Sequence, residues 1–83
     1  MQKFRLVSDV PFDFEGHCFI SIDETEYWFI KGKVCHRLDG PSIISKRPIP
    51  RSYYFLNDTE YSEREYWGHP KVIEYKLDKI LKL

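Results

Sequence analysis

Between residues 17 and 61 the chain runs as short apolar and aromatic stretches divided by turn residues: HCFISI, DET, EYWFI, KGK and VCHRL, then PSIIS, KRPIPR and SYYFL. Short runs rich in Val, Ile, Tyr, Phe and Trp, punctuated by Gly, Asp and Pro, read as a meander of antiparallel strands. Gly32, after Lys31, sits where a tight turn needs positive φ, a conformation glycine adopts without steric cost. Asp39 and Gly40 repeat that logic. Pro48 and Pro50 withhold backbone donors and stand among three basic residues, so KRPIPR is an exposed loop between strands. The first fifteen residues, with an apolar stretch ended by Asp9 and Pro11 and then Phe12 and Phe14, predict an edge strand and a packed loop.

After residue 61 the period changes. Ser62 can accept from the backbone N–H of Glu65 while the Glu65 carboxylate reaches back, a capping box that starts a helix. Gly68 and His69 interrupt that helix after Trp67, and Pro70, whose missing N–H is harmless in a first turn, opens a second one running to the C-terminus. Ile73, Leu77, Ile80 and Leu81 lie three to four residues apart and give this helix one apolar face, with Lys76, Lys79 and Lys82 elsewhere. Ile73, Tyr75 and Leu77 also alternate with Glu74 and Lys76 as a strand would, but the length and the Leu/Lys-rich end favour helix. The expected fold is therefore α+β: a small antiparallel sheet of four to six strands, in a hairpin region at 17–61, followed by one or two helices in 62–83. Its 83 residues are too few for two cores, so 1–83 is read as a single domain, with 14 aromatic residues supplying much of the interior.

Charge changes this picture in one respect. The formal net charge is zero, which removes the overall attraction that drives non-specific binding to nucleic acid or to an anionic membrane. The distribution is uneven: residues 1–30 carry two Lys/Arg against six Asp/Glu, residues 31–52 six against one, and residues 53–83 five against six. A basic middle thus lies between acidic neighbours. Cys18 and Cys35 are too few for a disulfide scaffold, and neither a secretion signal nor an apolar run of ~20 residues is present. These features predict a cytoplasmic protein with free thiols and no membrane partner.

EYWFIKGKVC set above SYYFLNDTEY, at an offset of 26 residues, aligns aromatic with aromatic, aliphatic with aliphatic, and Gly32 with Asp58. The same hairpin idea occurs twice, each copy a unit that must stack on a neighbour to cover its faces. FIKGKVCHRLDGPSII resembles a small hairpin repeat of the form aromatic, x, NGK, x, x, HR, x, DGPA, and YFLNDTEYSEREYWGHPKV resembles the segment that closes such chains. The pattern is that of MORN-like repeats in small proteins of tailed bacteriophages, and it covers about residues 26–83. Its core rests on His36, Arg37, Asp39, Gly40 and Pro41; Lys31 and Ser42 replace the Asn and Ala of the pattern, and the second copy lacks the HR and DGP residues. The resemblance implies a non-catalytic protein that binds and alters a host factor, in the host cytoplasm, such as a defence or gene-expression protein.

Cys35, His36 and Asp39 have the residue types of a nucleophile, base and orienter, but strand neighbours point to opposite faces and Asp39 lies past a bend. His17, Cys18, Cys35, His36 and His69 would suffice for a metal, yet no paired ligand spacing is present. The expectation is no enzyme, no cofactor and no metal. Because Pro41 has no N–H, the Asp39 carboxylate is free for Ser42, His36 or Arg37, so His36, Arg37 and Asp39 are expected to tie the Gly40–Pro41 turn together with Cys35 facing inward. The candidate partner surface is then Arg37, Lys46, Arg47 and Arg51 for charge, with Tyr53, Tyr54 or Trp28 as anchors. An acidic protein partner is the favoured reading. A nucleic-acid-binding accessory protein using residues 31–51, and a structural or self-assembling phage protein with exposed strand edges, are the alternatives.

Overall fold

A computed structural model describes residues 1–82. Seven strands are followed by two helices: β1 (Gln2–Phe4), β2 (Gly16–Ile20), β3 (Thr25–Ile30), β4 (Val34–Cys35), β5 (Ile43–Ser45), β6 (Arg51–Leu56), β7 (Thr59–Tyr61), α1 (Glu63–Trp67) and α2 (Pro70–Leu81). The spatial order is β1-β2-β3-β5-β6-β7, with the two-residue β4 pairing beside β5 on β3. All pairs are antiparallel except β1 with β2, so the sheet is mostly antiparallel as expected, with one more strand than the expected four to six and a parallel pair at its N-terminal edge. A 3₁₀ turn at Val7–Asp9 lies in the connection that lets β1 return beside β2 in the same direction.

The two hairpins that align in sequence are built on different turns. Lys31 to Lys33 form a three-residue loop between Ile30 and Val34, with Gly32 at φ 87° and Lys33 at φ 56°. Asn57 and Asp58, at φ 49° and 64°, form a two-residue loop between Leu56 and Thr59, the mirror-image turn that matches strand twist. Gly32 and Asp58, the aligned pair, share the left-handed conformation.

Strand alternation gives the sheet two unlike faces. Cys18, Ile20, Thr25, Tyr27 and Phe29 share one face through the β2–β3 register, and Ile43 and Tyr53 continue it across β5 and β6. The N-terminal segment covers only the β2–β3 end of that face: Val10 is buried with Cys18, Ile20 and Phe29, and Phe4 and Phe14, edge to face with each other, pack against them. On the opposite face Tyr54 and Leu56 receive the helices, where Leu56, Tyr66 and Val72 form a second core. Full burial of an apolar side chain such as Val72 stabilises by about 1.5–3 kcal/mol. Where one core was expected, two small cores therefore sit on opposite faces at opposite ends of the one sheet that they share.

Both helix starts are as the residue pattern predicts. The Glu65 N–H donates to Ser62 Oγ at 3.1 Å and the Ser62 N–H donates to Glu65 Oε1 at 3.0 Å. His69 caps α2, its Nδ1 accepting from the Lys71 N–H at 3.1 Å, and Pro70 occupies the first position. The orientation of α2 is the finding that periodicity did not supply. It packs through Val72 and the half-buried Tyr75, while Ile73, Leu77, Ile80 and Leu81 face solvent. Among the described residues, no helix is long and apolar enough to cross a membrane.

Candidate functional site

The segment CHRLDGP crosses from the first hairpin to β5, and its backbone is stitched to the second hairpin. The Cys35 N–H donates to Asp58 Oδ1 at 2.6 Å, and the Asp58 N–H returns a bond to the Cys35 carbonyl at 2.9 Å. The Asn57 N–H donates to His36 Nδ1 at 3.0 Å. That bond uses neutral imidazole, and burial together with Lys71 lowers the His36 pKa. His36 thus ties one hairpin to the other and does not join Asp39, which corrects the three-residue turn cluster.

Arg37 and Asp39 do pair, Nε to Oδ1 at 2.8 Å. The same guanidinium donates from Nη1 to the Pro41 carbonyl at 3.0 Å and lies over the Trp28 ring, 3.9 Å from its centroid. His17 stacks on Trp28 at 4.0 Å and meets Glu26 at 2.8 Å. Gly40 is not at positive φ, which corrects the turn argument made for it. An added Cβ there would stand 3.1 Å from Arg37 Cζ, so the guanidinium would have to give by a few tenths of an ångström. Tyr66 locks the segment, its hydroxyl donating to the Arg37 carbonyl at 2.5 Å and accepting from the Gly40 N–H at 3.2 Å. Burial pushes that phenol's pKa up, so it stays a donor.

Cys35 packs inward against the first core, and it and Cys18 are free thiols. Burial, with Asp58 beside it, pushes the Cys35 thiol up to about 11. A nucleophilic cysteine needs the opposite shift. Among the described residues, no three His, Cys, Asp or Glu side chains are grouped as metal ligands.

The structure thus divides the candidate partner residues. Trp28 and Arg37 are engaged with each other and with the turn, and Tyr54 is drawn into the second core against Tyr66 and Trp67. Lys46 and Arg47 lie on the exposed loop between β5 and β6, and Arg51, also exposed, opens β6 at its end, with Tyr53 half-buried at its foot. Arg47 is 74% exposed and its one ion pair is to Glu24. Ser45, Arg47, Pro48, Ile49, Arg51 and Tyr53 enclose a depression of about 310 Å³ under this loop. Ile49, 59% exposed, joins the cations as an apolar tip. A second depression of about 390 Å³ adjoins it along the open sheet face, floored by Tyr27, Ile43, Tyr53 and Phe55 and rimmed by Asp23 and Glu60.

Residue-by-residue reading missed Ile43, Ile49 and Phe55 as parts of this surface. The alternation in SYYFL signals that Tyr53 and Phe55 share a face, but which face the helices cover depends on packing far along the chain. Nothing local points to Tyr66 as the partner of Arg37 and Gly40, from which it is 29 and 26 residues away. No family model, curated protein or solved structure matches the chain.

Proposed function

We propose that this chain is a non-enzymatic binding protein whose β5–β6 loop docks on an acidic surface of a protein partner. The observation that carries this reading is the exposure of Lys46 and Arg47 on the β5–β6 loop, with Arg51 at the start of β6 and Ile49 and Tyr53 beside them, away from the internally engaged Arg37. Complementary charge orients and speeds docking even when net charge is nil. Pro48 and Pro50 fix two φ angles in the loop, so less conformational freedom is lost when it is immobilised. The position of Tyr54 in the helix-covered core favours a protein partner over single-stranded nucleic acid, because only Tyr53 of the two rings is left at the loop for a base to stack on.

The likeness of CHRLDGP to the HR, x, DGP hairpin of tailed-phage proteins supports a host protein as the partner, with a defence or gene-expression factor occluded or held by the complex. Affinity capture from a bacterial lysate, read by mass spectrometry, tests the surface by comparing the wild type with the Arg47→Glu, Arg51→Glu double variant. An acidic protein held by the wild type and lost by the variant is the expected result. Equal retention of the same proteins, or retention of DNA or RNA on a filter at low salt, overturns it.

A further inference from the structure

We infer that the open aromatic face of the sheet is a groove for an extended segment of the partner, in which one carboxylate is followed at alternate positions by two apolar side chains. This rests on the proposed acidic partner and names the element that the site would recognise.

The face is uncovered for a structural reason. The N-terminal segment packs over Cys18, Ile20 and Phe29 at one end, and both helices lie on the other side of the sheet. Tyr27, Ile43, Tyr53 and Phe55 are left half-buried, with no element of the described chain over them. Ser45 and Tyr53 line both depressions, so the two form one trough running from the basic loop along β6.

Its chemistry has a direction. Arg51, Tyr53 and Phe55 occupy alternate positions of β6 and so project from one face at a repeat of about 6.8 Å, twice the rise per strand residue. An extended peptide has that same repeat. A carboxylate placed at Arg51 brings the second residue after it over Tyr53 and Ile43, and the fourth over Phe55. Arg51 has no ion-pair partner among the described residues, and Arg47 is held only by an exposed pair to Glu24. Asp23 rims the Arg51 end, where Arg47 and Arg51 outnumber it, while the opposite end carries Glu60, which faces Phe55 in the β6–β7 register and has no ion-pair partner among the described residues. A carboxylate there meets a like charge, so the sequence order of the bound segment is fixed: acidic end at the loop, apolar end toward Glu60.

The test is a titration of the isotope-labelled full chain, followed by amide chemical shifts, with the peptide acetyl-Glu-Ser-Val-Ser-Leu-amide. Two controls are the same peptide with Lys in place of Glu and the reversed-order peptide with Glu last. The expected result is shifts in β5 and β6 and an affinity about tenfold tighter than either control, reduced about tenfold by Arg51→Gln and by Tyr53→Ser. Arg51→Gln changes only an exposed side chain, so the test survives if Tyr53→Ser fails to fold. Equal binding of the first and reversed peptides, with Arg51→Gln still weakening both, overturns the groove and leaves the basic loop standing. Indifference to both Arg51→Gln and the Lys peptide overturns the groove and the loop together. Shifts confined to α2, displacement of the peptide by a single-stranded oligonucleotide, or β6 shifts that move with protein concentration as a second copy covers the face, likewise overturn it.

Discussion

Removing one oxygen atom, by Tyr66→Phe, separates the hydrogen-bonding role of this residue from its packing. The ring is fully buried and its hydroxyl serves two backbone groups, donating to the Arg37 carbonyl and accepting from the buried Gly40 N–H. Phenylalanine keeps the packing against Tyr54 and Trp67 but strands both groups. A buried polar group left without a partner costs about 1–3 kcal/mol. The Arg37 carbonyl is only partly buried, so the sum should lie at the lower end of the doubled range, about 2–3 kcal/mol. For a domain of this size that corresponds to a fall in melting temperature of roughly 10–20 °C. Urea unfolding followed by circular dichroism reads the change directly, with Tyr75→Phe as a control expected to stay within about 0.5 kcal/mol. A Tyr66→Phe loss below about 0.5 kcal/mol, at unchanged denaturant slope, would refute the idea that this hydroxyl locks the CHRLDGP segment.

Three further outcomes follow from the packing and the titrating groups. Val72→Ala should destabilise by about 1.5–3 kcal/mol, whereas Leu77→Ala, on the exposed side of the same helix, should change stability by less than about 0.5 kcal/mol; the reverse order would mean that α2 is rotated. Gly40→Ala should push Arg37 off Trp28, costing about 1–2 kcal/mol and altering tryptophan emission, and an unchanged spectrum would contradict the close approach. His36 has its pKa lowered by folding, so the unfolded chain binds the proton more readily and stability present above the ordinary histidine range is lost as pH falls through it. Melting temperature measured from pH 7.5 down to about pH 5 should drop, and His36→Gln should flatten that dependence; parallel curves for the two proteins would remove His36 as the cause.

The elements with local signals were legible from the residues: the Ser62–Glu65 capping box, Pro70 at the start of α2, the left-handed Gly32, and the Arg37–Asp39 pair. Each is fixed by groups within a few positions of one another. The parallel β1–β2 pairing was not legible, because it depends on where a connection of eleven residues returns. Helical period correctly grouped Ile73, Leu77, Ile80 and Leu81 but carries no information about which side meets the body. That choice is made by Val72, buried with Leu56 and Tyr66 in the second core. In the candidate site, exposure of the KRPIPR loop was readable from its prolines and charges, while the engagement of Arg37, Trp28 and Tyr54 in contacts within the chain was not. A cation beside an aromatic residue looks the same in sequence whether it awaits a partner or lies on a tryptophan of a neighbouring strand, as Arg37 lies on Trp28 of β3.

Arg47 and Arg51 carry the proposed docking most directly. The decisive measurement is a calorimetric titration of the captured partner with the wild type and with the Arg47→Glu, Arg51→Glu variant, at about 50 and 300 mM salt. The predicted result is wild-type affinity that falls by about tenfold across that salt range, and a variant at least tenfold weaker at the lower salt while melting at the wild-type temperature. Equal affinities for the two proteins, or wild-type binding indifferent to salt, would contradict it.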